Sequence, residues 1–154
     1  MALYSWLLFA AFLGCGLAEF NVVTTRLCRE VDASACTVNE VRIDPCVNSR
    51  LCHLKKGKNA KVSFDFTPQF STTKLKTGLF GLKNGAEIPF DALYNADACT
   101  LTSCPTEAGK TQTLDFSSHI GKKLPTGNFE FKWKLWNEDN ESQMCCYRTN
   151  VRLV

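Results

Sequence analysis

At 154 residues the chain is long enough for one domain with a real core and too short for two comfortable ones. Its formal net charge of +3 rests on scattered lysines rather than a stripe of them, which argues against a nucleic-acid binder. The first 18 residues carry no charged side chain, and that run is short for a membrane span and has no basic cluster after it.

Residues 1–18 therefore predict a cleaved secretory leader, with small Gly16 and Ala18 ahead of the cleavage point and a single domain over 19–154. Cleavage removes Cys15 and leaves Cys28, Cys36, Cys46, Cys52, Cys99, Cys104, Cys145 and Cys146. An even count in an exported chain reads as a disulfide framework. The histidines, His53 and His119, stand alone, and zinc spacing is lacking, so no metal site is expected.

Residues 19–35 show no clean period, and Cys28 and Cys36 imply that this entry segment is tied to something later. Val38, Val41 and Ile43 read as a short strand that stops at Asp44-Pro45, where proline removes a ladder donor. Cys46 and Cys52 bracket a loop that a local disulfide could close, and residues 55–59, rich in lysine, read as a solvated turn. Val62, Phe64 and Phe66 then alternate with Lys61, Ser63 and Asp65, an amphipathic strand that ends at Pro68.

Residues 74–82 form a third strand with Leu75, Leu79, Phe80 and Leu82, in which Gly78 and Gly81 mark a bulge or a close approach. Asn84-Gly85 is a hairpin-turn signal with residues 86–90 as the partner strand. Residues 91–100 read as loop, and Cys99 and Cys104 bracket a second small disulfide loop. Residues 111–116 are a short strand with Leu114 and Phe116 inward, and 117–128 a long connection.

The strongest pattern lies at 129–136, where Phe129, Phe131, Trp133 and Leu135 alternate with Glu130, Lys132 and Lys134. One face is apolar and needs another layer of protein; the other is charged, and its lysines belong in water. Residues 137–140 turn the chain and 144–154 return it. Seven short strands without a helical stripe argue for a β-sandwich.

Catalytic motifs are missing: there is no Gly-x-Ser-x-Gly elbow, no His-Glu-x-x-His and no pair of carboxylates in an apolar setting. Gly109-Lys110-Thr111 resembles the end of a phosphate loop, but Cys104 stands where its first glycine belongs. Neither an enzyme nor a cofactor is expected. Asn140-Glu141-Ser142 is a sequon in a polar turn and predicts a glycan on Asn140. Phenylalanines at 20, 64, 66, 70, 80, 90, 116, 129 and 131, with Trp133 and Trp136, read from composition as core. A sandwich can also be held apart so that a ligand fills it.

Several of these features recur in a definite order: Cys28, Asp-Pro-Cys46, the Cys46/Cys52 loop, Lys-Lys-Gly-Lys before the Val62/Phe64/Phe66 strand, and Ile88-Pro89-Phe90. The Cys99/Cys104 loop with Pro105, Leu124-Pro125, Trp133, the Asn140 sequon and a late cysteine complete the set. The set resembles the lipid-recognition (ML) family, most of all its soluble Niemann-Pick type C sterol carriers and group 2 mite allergens. That resemblance implies an all-β fold, an immunoglobulin-like sandwich of two antiparallel sheets stapled by disulfides, with a lipid cavity inside. It implies a secreted, extracellular monomer that carries a sterol, fatty acid or similar apolar lipid without chemistry. Delivery to lysosomes, and transfer to a membrane receptor or lipid transporter, fit the same reading.

By position, Phe90, Ile120, Leu124 and Pro125 match the family's cavity-mouth residues, and Phe64, Phe66, Phe131 and Trp133 its inner face. Asp91-Ala-Leu-Tyr94 replaces a proline-rich run, and Leu124 replaces an aromatic. The family's bridges imply Cys46–Cys52, Cys99–Cys104, and Cys28 with either Cys145 or Cys146, leaving Cys36 for the other. Adjacent strand residues face opposite ways and can serve two partners; Cys28–Cys36 with a vicinal Cys145–Cys146 is the strained alternative. The alternative function is recognition of microbial glycolipid and its presentation to an immune receptor, with Lys83, Lys122 and Lys123 as a basic rim.

Overall fold

The structure, a computed structural model, describes residues 21–154, so the predicted leader at 1–18 and the core assignment of Phe20 lie outside the described residues. Two sheets face each other. The first has the order β1 (Asn21–Val22), β3 (Cys36–Asp44), β5 (Asn59–Pro68) and β9 (Gln112–His119). The second runs β2 (Arg26–Leu27), β11 (Asn140–Leu153), β10 (Gly127–Asn137), β6 (Leu75–Lys83) and β7 (Ala86–Pro89). β4 (Cys52–Leu54) adds to β11 in the one parallel pairing among the described residues, and β8 (Ala96–Asp97) adds to β6.

All seven strands expected from alternation are present, and β1, β2, β4 and β8 are additions. Strands of two or three residues are too short to show a period. β9 runs on to His119 and β10 begins at Gly127, so the expected long connection shrinks to residues 120–126. β11 likewise begins at Asn140, four residues early.

The irregular spacing of Val38, Val41 and Ile43 has a cause in β3. The β3–β5 register slips between Val38 and Glu40, and a bulge of one residue restores the apolar face to the core. The Asn84-Gly85 turn takes positive φ at both residues, 50° and 79°, as a tight hairpin requires.

β6 corrects one expectation. Its inward residues are Leu75, Thr77 and Leu79, while Phe80 lies on the outer face under Tyr94, with the Lys134 amino group 4.8 Å from its ring centre. Gly78 is needed there because a Cβ would stand 2.8 Å from the Phe80 ring edge.

Phe64 sits at the centre of the packed core, with ring centres 5.8 Å from Phe66, 5.4 Å from Trp133 and 5.2 Å from Tyr147. The open question at the late cysteine pair resolves as Cys28–Cys146 and Cys36–Cys145, beside Cys46–Cys52 and Cys99–Cys104. Cys36–Cys145 joins β3 to β11 and so staples one sheet to the other.

The charged face of β10 also differs from expectation. Alternation places Lys132 in water, yet its side chain is only 5% exposed. Glu30 and Glu87 cover it with carboxylates, and Lys134 and Arg148 share those two acids. Burial first, and then Lys134 and Arg148, pull the Lys132 amine down to about 8.

Candidate binding cavity

The inward face of β5 changes character along its length. Phe64 and Phe66 fill one end of the sandwich, whereas Val62 and Ala60 are too small to fill the other. A cavity opens beside them. β9 contributes Phe116 and Ser118 to its wall, β6 Leu79, β10 Phe131 and Trp133, and β11 Tyr147, Thr149 and Val151. Ile43, Leu54 and Ile120 close the sides, and Phe90, Ala92 and Leu93 close the outer end. The space open to the centre of a water-sized sphere is about 50 Å³.

A second void of about 210 Å³ adjoins it, lined by Gly81, Leu82, Lys83, Ile88, Leu124, Pro125, Phe129 and Leu153. Phe90 and Phe131 line both. The two rings form the partition between an inner cavity and an outer groove, and Ile88 on the groove is 52% exposed.

No ionisable side chain other than Tyr147 lines the inner cavity. Trp133 Nε1 donates to Thr77 Oγ1 at 2.8 Å, and Thr77 in turn donates to the Lys134 carbonyl at 3.0 Å. Thr149 Oγ1 donates to the Thr24 carbonyl at 3.1 Å. Burial pushes the Tyr147 hydroxyl well above its ordinary pKa, so it stays neutral. Such a wall gives apolar contact and solvent exclusion, with no nucleophile and base set against each other.

Four of the candidate residues named from the sequence meet here: Phe90, Ile120, Phe131 and Trp133 are on the inner wall. Leu124 and Pro125, expected at the mouth, line the outer groove. Phe64 and Phe66 line neither void; at 1% and 0% exposure they are packing residues of the filled end. Val62, Phe116 and Tyr147 join the wall without a sequence signal specific to a cavity, although Val62 carries the same alternating signal as Phe64. Leu93 lies in an irregular loop whose period says nothing about burial.

Two loops frame the groove and hold each other. Gly57 N–H donates to the Ile120 carbonyl at 2.6 Å, and Ile120 N–H donates to the Lys58 carbonyl at 2.8 Å. The Lys122 stem lies over Gly57, where a Cβ would stand 2.8 Å from Lys122 Cε. Lys56 Nζ donates to the Leu124 carbonyl at 3.3 Å and to Thr126 Oγ1 at 2.6 Å. The expected solvated turn at 55–59 is thus a strut for the mouth, and it gathers Lys55, Lys56 and Lys58 beside Lys122 and Lys123. Asn140 is exposed at the start of β11, with Ser142 Oγ donating to its side-chain oxygen at 2.7 Å.

The family profile of the ML domain matches residues 22–153. An MD-2-related lipid-recognition protein from Manduca sexta is 49% identical over 153 residues, covering 99% of each chain. The mite group 2 allergen Tyr p 2 of Tyrophagus putrescentiae is 26% identical over 138 residues, 88% of this chain and 95% of the allergen. The NPC intracellular cholesterol transporter 2 homolog a of Drosophila melanogaster is 29% identical over 108 residues, 68% of this chain and 72% of that one. The crystal structure of a Niemann-Pick type C2 protein from the Japanese carpenter ant superposes with a TM-score of 0.68 at 18% identity, covering 88% of this chain and 98% of that chain. At that identity it speaks for the fold alone.

Proposed function

The chain belongs to the ML-domain family, and on that premise we propose that it is a secreted carrier for a sterol, fatty acid or similar apolar lipid. The lipid enters the cavity between the sheets and leaves it chemically unchanged. One observation carries this reading: the inner cavity has no charged wall and continues past Phe90 and Phe131 into an apolar groove that reaches the surface. The relatives named for lipid recognition and cholesterol transport support it.

The inner space of about 50 Å³ is small beside ligand pockets of about 300–1,000 Å³. Loading therefore requires the Phe90 ring to leave Phe131 and the walls to part. Burying about 300 Å² of lipid at about 25 cal/mol per Å² gives a gross gain of about 7.5 kcal/mol, against which the costs of that movement and of association are set. Titration with cholesterol and with palmitic acid tests the reading: saturable uptake of one lipid per chain supports it, and no uptake of either overturns it.

A second reading, recognition of microbial glycolipid and its presentation to a receptor, is favoured by the lysines gathered at the mouth. Lys55, Lys58, Lys122 and Lys123 are exposed on the two tied loops, with Lys83 on the groove. Phosphate recognition there weakens as salt rises, whereas uptake of a neutral sterol does not. The same titration at low and high ionic strength separates the two.

A further inference from the structure

Two pieces of chain frame the cavity mouth, and they are held in different ways. Residues 120–124 are tied to residues 56–58 through the backbone and through Lys56. The other piece is β7, a four-residue edge strand exposed at every position and paired with β6 alone among the described residues. A strand with one ladder and little burial is the part of a sheet that opens most easily. β7 places Ile88 on the groove and is followed at once by Phe90, which lines both groove and inner cavity.

Glu87 gives this strand a second attachment. Alternation turns its side chain away from Ile88, to the outer face of the sheet. Its cross-strand neighbour on β6 is Leu82, yet its carboxylate reaches past β6 to β10. There Oε1 accepts from Lys132 Nζ at 2.6 Å and Oε2 from Lys134 Nζ at 2.7 Å. The side chains of Glu87, Lys132 and Lys134 are 31%, 5% and 21% exposed, and a two-armed ion pair sheltered from water holds more firmly than one on an open surface. β10 also carries Phe131, the ring against which Phe90 rests.

We propose that Glu87 is a positioning residue of the cavity mouth: by clasping Lys132 and Lys134 on the outer face, it holds β7, and through it Phe90, in the closed position that a lipid must displace. The inference rests on the carrier reading and assigns to it the residue that sets how readily the mouth opens. Glu87 lines neither void, so its loss lowers the barrier to opening without changing what a bound lipid touches. Loading and release then quicken together while the equilibrium affinity stays the same.

Glu87→Gln tests this, since it keeps the shape of the side chain and removes the charge; Lys132 retains Glu30 as a partner. Loading of radiolabelled cholesterol and palmitic acid from phosphatidylcholine vesicles, and release back to them, are timed for the wild type and the variant. Both rates are expected to rise about three- to tenfold in Glu87→Gln, with unchanged affinity. Lys134→Met is expected to quicken exchange as well, and the double variant to be no faster than Glu87→Gln, because both changes open one clasp. Asp139→Asn is the control: it breaks the exposed Lys74–Asp139 pair beside the opposite end of β6 and is expected to leave the rates alone. Wild-type rates in Glu87→Gln overturn this inference and leave the carrier reading standing. An equal rise in Asp139→Asn, or a changed affinity in Glu87→Gln, also overturns it, by showing a general loosening or an effect on the bound state. Failure of the wild type to load either lipid overturns the carrier reading and this inference with it.

Discussion

The Phe90 and Phe131 rings meet edge to face, with centres 5.3 Å apart and planes at 78°, and the pair stands between the inner cavity and the outer groove. Phe90, whose N–H donates to the Leu79 carbonyl at 2.8 Å, is followed by a short 3-10 turn, Asp91–Leu93, whereas Phe131 is in the middle of β10 with a strand paired on each side. The movable member of the pair is therefore Phe90.

Phe90→Asp is expected to reduce lipid uptake at least tenfold, since it puts a charge on the route into an apolar cavity. Phe90 is only half-buried, so the variant should still be secreted and keep its thermal midpoint within a few degrees. Ile120→Asp gives a less clean result because Ile120 is 8% exposed, and a fall in stability should accompany its loss of uptake. Normal transfer by the Phe90 variant would place the entrance elsewhere.

Thr77 has a disproportionate role for a small residue, holding the Trp133 indole at 2.8 Å while fully buried. Thr77→Val keeps its shape and removes the acceptor, leaving Nε1 without a partner. A loss of about 1–3 kcal/mol in urea unfolding is expected, with the Trp133 fluorescence shifted as the ring loses its anchor. A value near zero would mean that the indole finds another acceptor.

The four disulfides should not contribute equally. Cys36–Cys145 spans 109 residues and Cys28–Cys146 spans 118, against 5 for Cys99–Cys104 and 6 for Cys46–Cys52. The entropy of the unfolded chain then favours the long bridges, at about 4–5 kcal/mol each compared with about 2 for the short ones. Replacing Cys36 and Cys145 together by alanine should lower the denaturation midpoint more than replacing Cys99 and Cys104. The reverse order would show that the small loop matters through its packing.

Lys132 gives the protein an alkaline signature. Its folded pKa of about 8 lies below the ordinary 10.5, so between these values the unfolded chain binds more protons than the folded one. Stability from this group therefore rises with pH across that window, and the full penalty for keeping it charged applies below about pH 8. In urea titrations at pH 7 and pH 10, the wild type should gain on Lys132→Met as pH rises. Parallel profiles would show that Glu30 and Glu87 hold the amine near its ordinary value.

Asn140 is exposed at the start of β11, just after the turn from β10, and a glycan there would project from the end of the longest hairpin. Protein secreted from insect cells should lose mass on treatment with an N-glycosidase, and Asn140→Gln should remove that shift. An unchanged mass in the wild type would rule the glycan out.

Much of this architecture was legible because alternation is a property of single strands. The run from 129 to 136 announces a half-buried strand without reference to any neighbour. What could not be read depends on pairs of strands. The assignment of Cys145 to the core side follows from the cross-strand register Trp133↔Tyr147 and Leu135↔Cys145, which no local pattern records. The outward direction of Phe80 is not legible because Thr77 and the glycines at 78 and 81 hide the parity of β6. Lys132 is buried because Glu30 and Glu87 arrive from other segments to cover it. At the cavity, the family resemblance points to Phe90 and Ile120 at the mouth and to Phe131 and Trp133 on the inner face, and all four line the inner cavity. It could not say that Phe64 and Phe66 would fill their end of the sandwich, since that depends on what the opposite sheet presents to them.

The central claim is that the protein carries a lipid between its sheets, and native mass spectrometry of protein secreted from eukaryotic cells tests it most directly. One neutral lipid per chain is expected, released by organic extraction and identified as a sterol, fatty acid or related apolar species. Protein that emerges empty and takes up none of these lipids on titration would contradict it, and the aromatic residues would then be the filling of an ordinary core.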